Sequence, residues 1–250
     1  MELKALVRCL DELLDTHSIE DESPNGLQVE GRAGVRRVAF AVDYSPEFAE
    51  IAAADGADLL FVHHGAIWGS LRYVRGVARA FLQPLFRHDL SLYVAHLPLD
   101  VHPELGHGAC MARRLELGDT VPFGPYRGKW VGVLGCLAEP VAREAFLERV
   151  RERVSPEAQL LPFGPDRAHR VAIVSGGGAK MAPEAAEAGA DFFLTGETSH
   201  GAYHPARAAG VNLCFGGHYR TETFGVLAVM ERVRADLGLE CRYYDFPTPF

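Results

Sequence analysis

The feature that most limits the fold of this chain is a regular alternation of short apolar runs with helical patterns. The apolar runs lie at 37–42, 58–63, 91–96, 129–137, 170–175, 191–195, 211–215 and 240–245. Helical patterns lie between them, at 46–54, 74–88, 104–115, 142–154, 183–188, 202–209 and 221–237. Strands that alternate with helices are typical of α/β proteins. We therefore predict an α/β fold with mixed, mostly parallel sheets.

The sequence also contains an internal repeat with an offset of 133 positions. The Arg-Val-Ala at 37–39 matches the one at 170–172, and the Gly-Ala-Asp at 56–58 matches the one at 189–191. Because no gap is needed here and the same order of elements continues beyond it, we interpret the match as a duplicated β-α unit. Chance similarity between two ordinary strand–helix units is the alternative.

A Pro- and Gly-rich stretch at 121–128 is the predicted linker between the two halves. The predicted domains are therefore a first α/β repeat at 1–125 and a second α/β repeat at 126–250. A similar stretch at 161–166 predicts a loop inside the second half. A chain of 250 residues is long enough for two small domains.

Composition argues against several classes of protein. The formal net charge of −8 disfavours nucleic-acid binding, which requires a basic surface. The five cysteines are scattered without a C-x-x-C pair, which favours a reducing cytoplasm over a disulfide framework or a cysteine zinc site. No apolar run approaches the length of a membrane span, and the amphipathic N-terminal segment lacks the apolar region of a signal peptide. We expect a cytoplasmic protein with no membrane segment.

Two of the eleven histidines, His63 and His64, directly follow an apolar run. Ligands of parallel α/β sheets bind beyond the carboxyl ends of the strands, and neutral imidazole is the commonest protein ligand for transition metals. Neighbouring side chains on a strand point to opposite faces, but both rings can converge where the backbone turns. The alternative is one buried structural histidine and one surface histidine.

The next apolar run ends in the segment His96-Leu97-Pro98-Leu99-Asp100. Pro98 stiffens the turn, and the carboxylate of Asp100 is a candidate metal ligand. His96 is a candidate ligand, general base or residue that orients a ligand. For Asp100 taken alone, a helix N-cap is the stronger interpretation.

With an offset of 122, His218 and Glu222 match His96 and Asp100. His218 and Glu222 lie four residues apart and share one face of a helix, with an ordinary surface pair as the alternative. Glu197 also follows a predicted strand end, and His200 lies close behind it; a polar turn is the alternative there. The glycine-rich run at 175–178 only weakly resembles a phosphate loop, because it lacks the specific motifs.

The set as a whole is more informative than any one motif. Three imidazoles and two carboxylates exceed what one tetrahedral ion with an open position requires. They suit two ions about 3.5–4 Å apart. Nitrogen and oxygen ligands without sulfur favour zinc, iron, manganese or cobalt. The predicted ligands are His63, His64, Asp100, His218 and Glu222.

The ordered set of motifs resembles the Nif-three-like dinuclear metal-centre proteins, the GTP cyclohydrolase 1 type 2 homologues. The matching pieces are Pro24-Asn25-Gly26-Leu27-Gln28-Val29, Val42-Asp43, His63-His64, His96-x-Pro98-Leu99-Asp100, Thr195-Gly196-Glu197 with His200, and Gly217-His218-x-x-x-Glu222. One departure is Gly65-Ala66, where many relatives carry proline after the histidine pair.

The resemblance implies two intertwined α/β domains related by duplication, and a toroidal homohexamer. It also implies that the five predicted ligands hold two divalent ions, with the segment 216–222 returning to complete the site. The implied reaction opens the imidazole ring of GTP with water and releases formate. His96 or Glu197 would then move protons, and His200 is the third catalytic candidate.

The leading hypothesis is therefore a metal-dependent hydrolase acting on a nucleotide or a similar small polar substrate. Two alternatives come from other classes of protein. One is a metal-binding or metal-delivery protein without turnover. The other is an interaction scaffold in which the hexameric ring matters more than its chemistry.

Overall fold

The computed structural model describes residues 1–249, and the chain divides into two compact units. The first contains residues 1–99 and 226–246, and the second contains residues 100–225 and 247–249. The boundary predicted between residues 125 and 126 therefore falls inside the second unit. It lies at the end of a strand whose residues Pro125 and Tyr126 pair with Trp130 and Lys129.

The first unit is built on a five-stranded sheet with the order β1-β4-β3-β2-β11. Its strands are β1 (Gly26–Val29), β2 (Arg37–Asp43), β3 (Leu59–His64), β4 (Ser91–Val94) and β11 (Glu240–Tyr243). The strands β4, β3, β2 and β11 run parallel, whereas β1 is antiparallel to β4. Its helices include α1 (Leu3–Leu14), α2 (Pro46–Ala54) and α3 (Val77–His88).

The helices of the first unit follow from local sequence signals. The Ser45 side chain accepts a hydrogen bond from the Phe48 N–H, and Pro46 occupies the first position of α2, so this helix has a regular start. The amphipathic pattern of α1 places one face in the core, where four leucines are buried: Leu3, Leu6, Leu10 and Leu14. The core also buries the apolar runs of β2 and β3, as expected for parallel strands covered on both faces.

The second unit is built on a six-stranded sheet with the order β5-β6-β8-β9-β10-β7. Its strands are β5 (Gly118–Tyr126), β6 (Lys129–Ala142), β7 (Gln159–Leu161), β8 (Arg167–Val174), β9 (Phe192–Thr195) and β10 (Asn212–Phe215). The strands β8, β9 and β10 are parallel, and their neighbours in the sheet are antiparallel. Five of its helices are α5 (His107–Arg114), α6 (Arg143–Arg153), α7 (Ala182–Glu187), α8 (Tyr203–Ala209) and α9 (His218–Thr221).

Two further helices, α4 (Leu97–Asp100) and α10 (Thr223–Leu237), contain two of the three points where the described chain passes from one unit to the other. These points follow Leu99 and Gly225. Among residues 1–249, no helix has the length and apolar character needed to cross a bilayer.

The predicted linker at 121–128 is wrong, because this stretch belongs to a β-hairpin. Pro122 faces Val133 and Pro125 faces Trp130 across the β5–β6 pair. Proline cannot donate to a sheet, but an edge strand leaves one side without a partner strand, and β5 is such an edge. The same prolines that suggest a linker in the sequence are therefore compatible with a strand.

The strand pairing supports the interpretation of a duplicated unit. Val38 faces Leu59 in the first sheet, and Val171 faces Phe192 in the second. Both members of the second pair follow their counterparts by 133 positions, so the repeat preserves the register as well as the order of the strands.

An aspartate that immediately precedes a strand repeats with the same offset, as Asp58 before β3 and Asp191 before β9. The Asp58 carboxylate accepts hydrogen bonds from the backbone N–H groups of Arg36 and Arg37 at 2.8 and 3.0 Å. In the second unit, the Asp191 carboxylate accepts hydrogen bonds from the backbone of residues 169 and 170, each at 3.0 Å. The two aspartates thus fix the start of β2 and of the strand segment in β8 that matches it.

Candidate metal-binding residues

Three histidines of the first unit converge beyond the carboxyl ends of β3 and β4. The ring centres of His63 and His64 lie 4.6 Å apart, and that of His96 lies 5.0 Å from His63 and 5.5 Å from His64. One ring nitrogen from each histidine lies within 4.8 Å of the others. His64 is the last residue of β3, where the chain turns and brings its ring to the side of His63.

The second nitrogen of each ring faces a hydrogen-bond acceptor. His63 Nδ1 lies 2.8 Å from the carbonyl oxygen of Ala95, and His64 Nδ1 lies 2.7 Å from a carboxylate oxygen of Asp43. Because these oxygens can only accept, each Nδ1 carries a proton and Nε2 of the neutral ring holds the lone pair. A ligand histidine in a metal site has this same arrangement.

His96 is fixed by a polar loop that precedes β1. Its Nδ1 donates to the Asp21 carboxylate at 2.9 Å, and its backbone N–H donates to the side-chain oxygen of Asn25 at 2.7 Å. Asn25 in turn donates to Asp21. Burial favours protonation of Asp21, but hydrogen bonds from His96, Asn25 and Leu97, together with the attraction of His96, hold the pKa of that carboxyl well below its usual range. The loop therefore presents a charged partner to His96.

Gln28 explains part of the motif at 24–29. Its side-chain amide donates to the carbonyl of Ile67 at 3.2 Å and accepts from the Ile67 N–H at 3.0 Å. The turn after His64 is thereby fixed. Gly65 allows this close approach, since a Cβ there would lie 2.6 Å from the Gln28 side chain.

In the second unit, His218 lies between two carboxylates. Its Nδ1 lies 3.0 Å from Glu197, and its Nε2 lies 3.2 Å from Glu222. Burial disfavours the charged imidazolium, but the hydrogen bonds and attraction of Glu222 and Glu197 are stronger and raise the pKa of His218 to about 9. The His218 ring is therefore protonated at neutral pH in the metal-free protein, and a metal ion at Nε2 would displace that proton.

The glycine-rich run at 175–178 approaches this pair closely. Gly176 has a φ of +58°, and a Cβ there would overlap the Glu222 carboxylate and lie 3.0 Å from His218 Nε2. The Gly176 carbonyl also accepts hydrogen bonds from the N–H groups of Gly196 and Glu197. The loop packs closely on His218 and Glu222, and this close packing explains why residue 176 is a glycine.

Asp100 is the last residue of α4, so the alternative of a helix N-cap is wrong. The Ser175 hydroxyl donates a hydrogen bond to its Oδ1 at 3.0 Å. Of the other predicted catalytic residues, Glu197 contacts His218 as described, and His200 is exposed at the start of a short 3-10 helix (His200–Ala202).

The chemistry of these groups fits divalent transition metals. Each unit supplies imidazoles and carboxylates without sulfur. Four of the imidazoles have an Nδ1 that faces a carbonyl or a carboxylate: His63, His64, His96 and His218. Sequence reasoning assigned no role to Asp21, Asp43 or Ser175, which contact the predicted site residues. Asp43 lies at a predicted strand end and Ser175 begins the glycine-rich run at 175–178, so both could be noticed in the sequence, whereas Asp21 carried no signal.

The sequence profile of the Duf34/NIF3 family (NGG1p interacting factor 3) matches residues 1–249. A protein from Archaeoglobus fulgidus named GTP cyclohydrolase 1 type 2 homolog is 45% identical over 248 residues, covering 99% of each chain. A protein of the same name from Pyrococcus abyssi is 42% identical over 249 residues, again covering 99% of each. The chain belongs to the Duf34/NIF3 family.

Solved structures agree with this assignment. The crystal structure of TTHA1606 from Thermus thermophilus is similar with a TM-score of 0.92 and 35% identity, and the similarity covers 100% of both chains. Reduced HcgD from Methanocaldococcus jannaschii has a TM-score of 0.87 and 26% identity, with 98% of both chains covered. These similarities confirm the predicted α/β fold.

Proposed function

We propose that the chain is a metal-dependent hydrolase with a dinuclear centre. Its five ligands are those that the sequence predicts: His63, His64, Asp100, His218 and Glu222. The observation that carries the proposal is the arrangement of the three histidines in this set, in which Nδ1 faces an oxygen acceptor, as it does in histidines that bind a metal through Nε2.

Chain connectivity supports the joint use of residues from both units. The chain leaves the first unit between Leu99 and Asp100, shortly after His96. It leaves the second unit after Gly225, three residues beyond Glu222. We propose that the segment 216–222 completes the site, because its ligands lie close in sequence to a point where the chain passes between the units.

The metal ions are zinc, iron, manganese or cobalt, and when bound they would lower the pKa of a coordinated water so that it can attack a substrate near neutral pH. The residues of the chain have distinct roles around them. Asp43 and Glu197 orient the rings of His64 and His218. His96, held by Asp21, is the proton carrier we favour, and His200 remains a further catalytic candidate.

A cavity of about 610 Å³ in the second unit could receive a small polar substrate. It lies at the carboxyl ends of β9 and β10, where parallel sheets bind ligands. Glu197, Thr198 and Gly217 line one part of it, and Arg220 contributes a cation suited to a phosphate. The cavity shares Glu197 with the His218 pair, which supports a substrate that reaches the proposed metal centre.

The substrate class that we favour is a nucleotide whose imidazole ring is opened by water, as the names of the relatives suggest. Protein loaded with each divalent metal in turn should release formate from GTP. Glu222→Ala should abolish this release, whereas Glu184→Ala, at an exposed site on α7, should leave it unchanged. Absence of formate with every metal would contradict ring opening, and phosphate esters and cyclic amides would then test the wider hydrolase class.

The alternative of metal delivery makes a different prediction for ion exchange. A delivery protein should transfer its ions to a chelator within minutes, whereas ions of a hydrolytic centre should resist this exchange. We also propose a homohexamer, which should appear in light scattering as six chains of 27.3 kDa. A monomeric mass would contradict both the hexamer and the scaffold alternative.

A further inference from the structure

His107 differs from the other buried histidine of the site region in the way its ring is held. It is the first residue of α5 and is fully buried. Its Nδ1 lies 2.9 Å from the backbone N–H of Gly225. Gly225 permits this approach, because a Cβ there would lie 2.8 Å from Nδ1 and 3.0 Å from the carbonyl oxygen of Leu105.

This contact determines which nitrogen carries the proton. A backbone N–H can only donate, so Nδ1 of His107 must be the acceptor and must hold the lone pair. The single proton of the neutral ring is then on Nε2. The arrangement is the reverse of that in His63, where Nδ1 faces the carbonyl of Ala95 and Nε2 holds the lone pair.

His107 also lies next to a proposed metal ligand of its own unit. One of its ring nitrogens is within 4.8 Å of a carboxylate oxygen of Asp100. Asp100 already accepts one hydrogen bond from the Ser175 hydroxyl, through Oδ1. An ionised carboxylate has about four acceptor positions on its two oxygens, so it can accept from Ser175, accept from a second donor and still bind a metal.

We propose that His107 is not a metal ligand but a positioning residue, whose Nε2–H would donate to Asp100 when that carboxylate holds a metal ion. The inference rests on the proposed function in one respect, namely that Asp100 binds metal. Because Nε2 is protonated, it has no lone pair for a metal ion. Residues that orient a ligand typically contribute a factor of 10–100 to metal affinity.

The ring proton can be located directly by NMR of protein labelled with ¹⁵N-histidine. The expected spectrum assigns the His107 proton to Nε2, both without metal and after zinc is added. In the same sample, His63 should have its proton on Nδ1. A proton on Nδ1 of His107, or loss of the Nε2 proton when zinc binds, would overturn the assignment.

Zinc titrations then separate a positioning residue from a ligand. His107→Leu should weaken zinc binding by about 10–100-fold while the stoichiometry stays at that of the unmodified protein. Asp100→Ala should instead reduce the number of bound ions. His107→Gln, which retains an N–H donor, should recover part of the affinity. A lower stoichiometry in His107→Leu, or an unchanged affinity, would contradict the positioning role.

Two controls keep these results interpretable. Circular dichroism of each variant reports whether it is folded. If His107→Leu is unfolded, His107→Gln takes its place in the zinc titration. The location of the ring proton needs no metal. Failure of the protein to bind zinc would therefore contradict the proposed function. A ring proton on Nδ1 of His107 would contradict only the inference about His107.

Discussion

The carboxylate of Asp21 lies 2.9 Å from Nδ1 of His96, although the two residues are 75 positions apart in the chain. The Asp21 side chain is only 4% exposed, and its charge is stabilised by His96, Asn25 and the N–H of Leu97. This contact makes the position of His96 depend on the folding of the loop before β1.

The Asp21 contact predicts an acid-sensitive contribution to stability. Because the pKa of Asp21 is lower in the folded than in the unfolded protein, its contribution is complete above about pH 5 and is lost as the pH falls below about 4. We expect Asp21→Asn to lower the free energy of unfolding by about 2 kcal/mol at pH 6 and by roughly a third less at pH 3, where the contribution is only partly lost. Urea unfolding at both values measures this, with Glu12→Gln as an exposed control. An equal loss at both values would contradict it.

The raised pKa of His218 predicts a pH dependence of stability that is opposite to that of Asp21. In the metal-free protein, NMR should show that His218 loses its proton near pH 9. Its contribution to stability is therefore complete below about pH 6.5 and is lost as the pH rises through 9. Glu197→Gln should shift the midpoint towards lower pH because it removes one attracting charge, whereas the exposed Glu187→Gln should not. An unchanged midpoint in Glu197→Gln would contradict the role of Glu197.

The tight approach of Gly176 predicts a specific effect of one added methyl group. Gly176→Ala should destabilise the protein by more than the roughly 1–2 kcal/mol that a left-handed backbone costs an L-residue, because the Cβ overlaps the Glu222 carboxylate. It should also weaken zinc binding. Gly238→Ala is the matched control, since Gly238 has a φ of +62° and nothing within 4 Å of the added Cβ. Equal effects of the two substitutions would argue against the close contact.

The repeated aspartates predict that the same substitution in either unit lowers the free energy of unfolding by a similar amount. Asp58→Asn and Asp191→Asn each weaken a carboxylate that accepts two backbone N–H groups, so each should lower the free energy of unfolding by about 1–3 kcal/mol. Asp119→Asn, on the exposed edge strand, should have little effect. Thermal or urea unfolding gives the comparison. A large loss in one unit and none in the other would contradict equivalent roles.

The sequence pattern was sufficient for the central parts of both sheets. The parallel strands β2, β3, β8 and β9 each contain a continuous apolar run, and the burial of these runs on both faces makes them easy to detect. The strands that escaped prediction lie at sheet edges, where pairing is one-sided and apolar periodicity is weak. They are β1, β5 and β7.

The candidate site was predictable where residues follow a strand, as His63 and His64 do. Contacts between distant loops were not, because spacing carries no information about them. Asp21 is an example, since nothing in its neighbourhood indicates His96 as its partner. The sequence also does not predict how a histidine ring is held. His63 and His107 are both buried histidines, and only their hydrogen-bond partners distinguish them.

The place of β11 at the end of the chain has a consequence for synthesis on the ribosome. This strand completes the edge of the first sheet beside β2, yet its residues 240–243 are translated almost two hundred positions after residue 43. At elongation rates of about 5–20 residues per second, the wait is roughly 10–40 s. During that time one edge of β2 is exposed, so the nascent chain has to be protected from pairing with other strands until β11 has been translated.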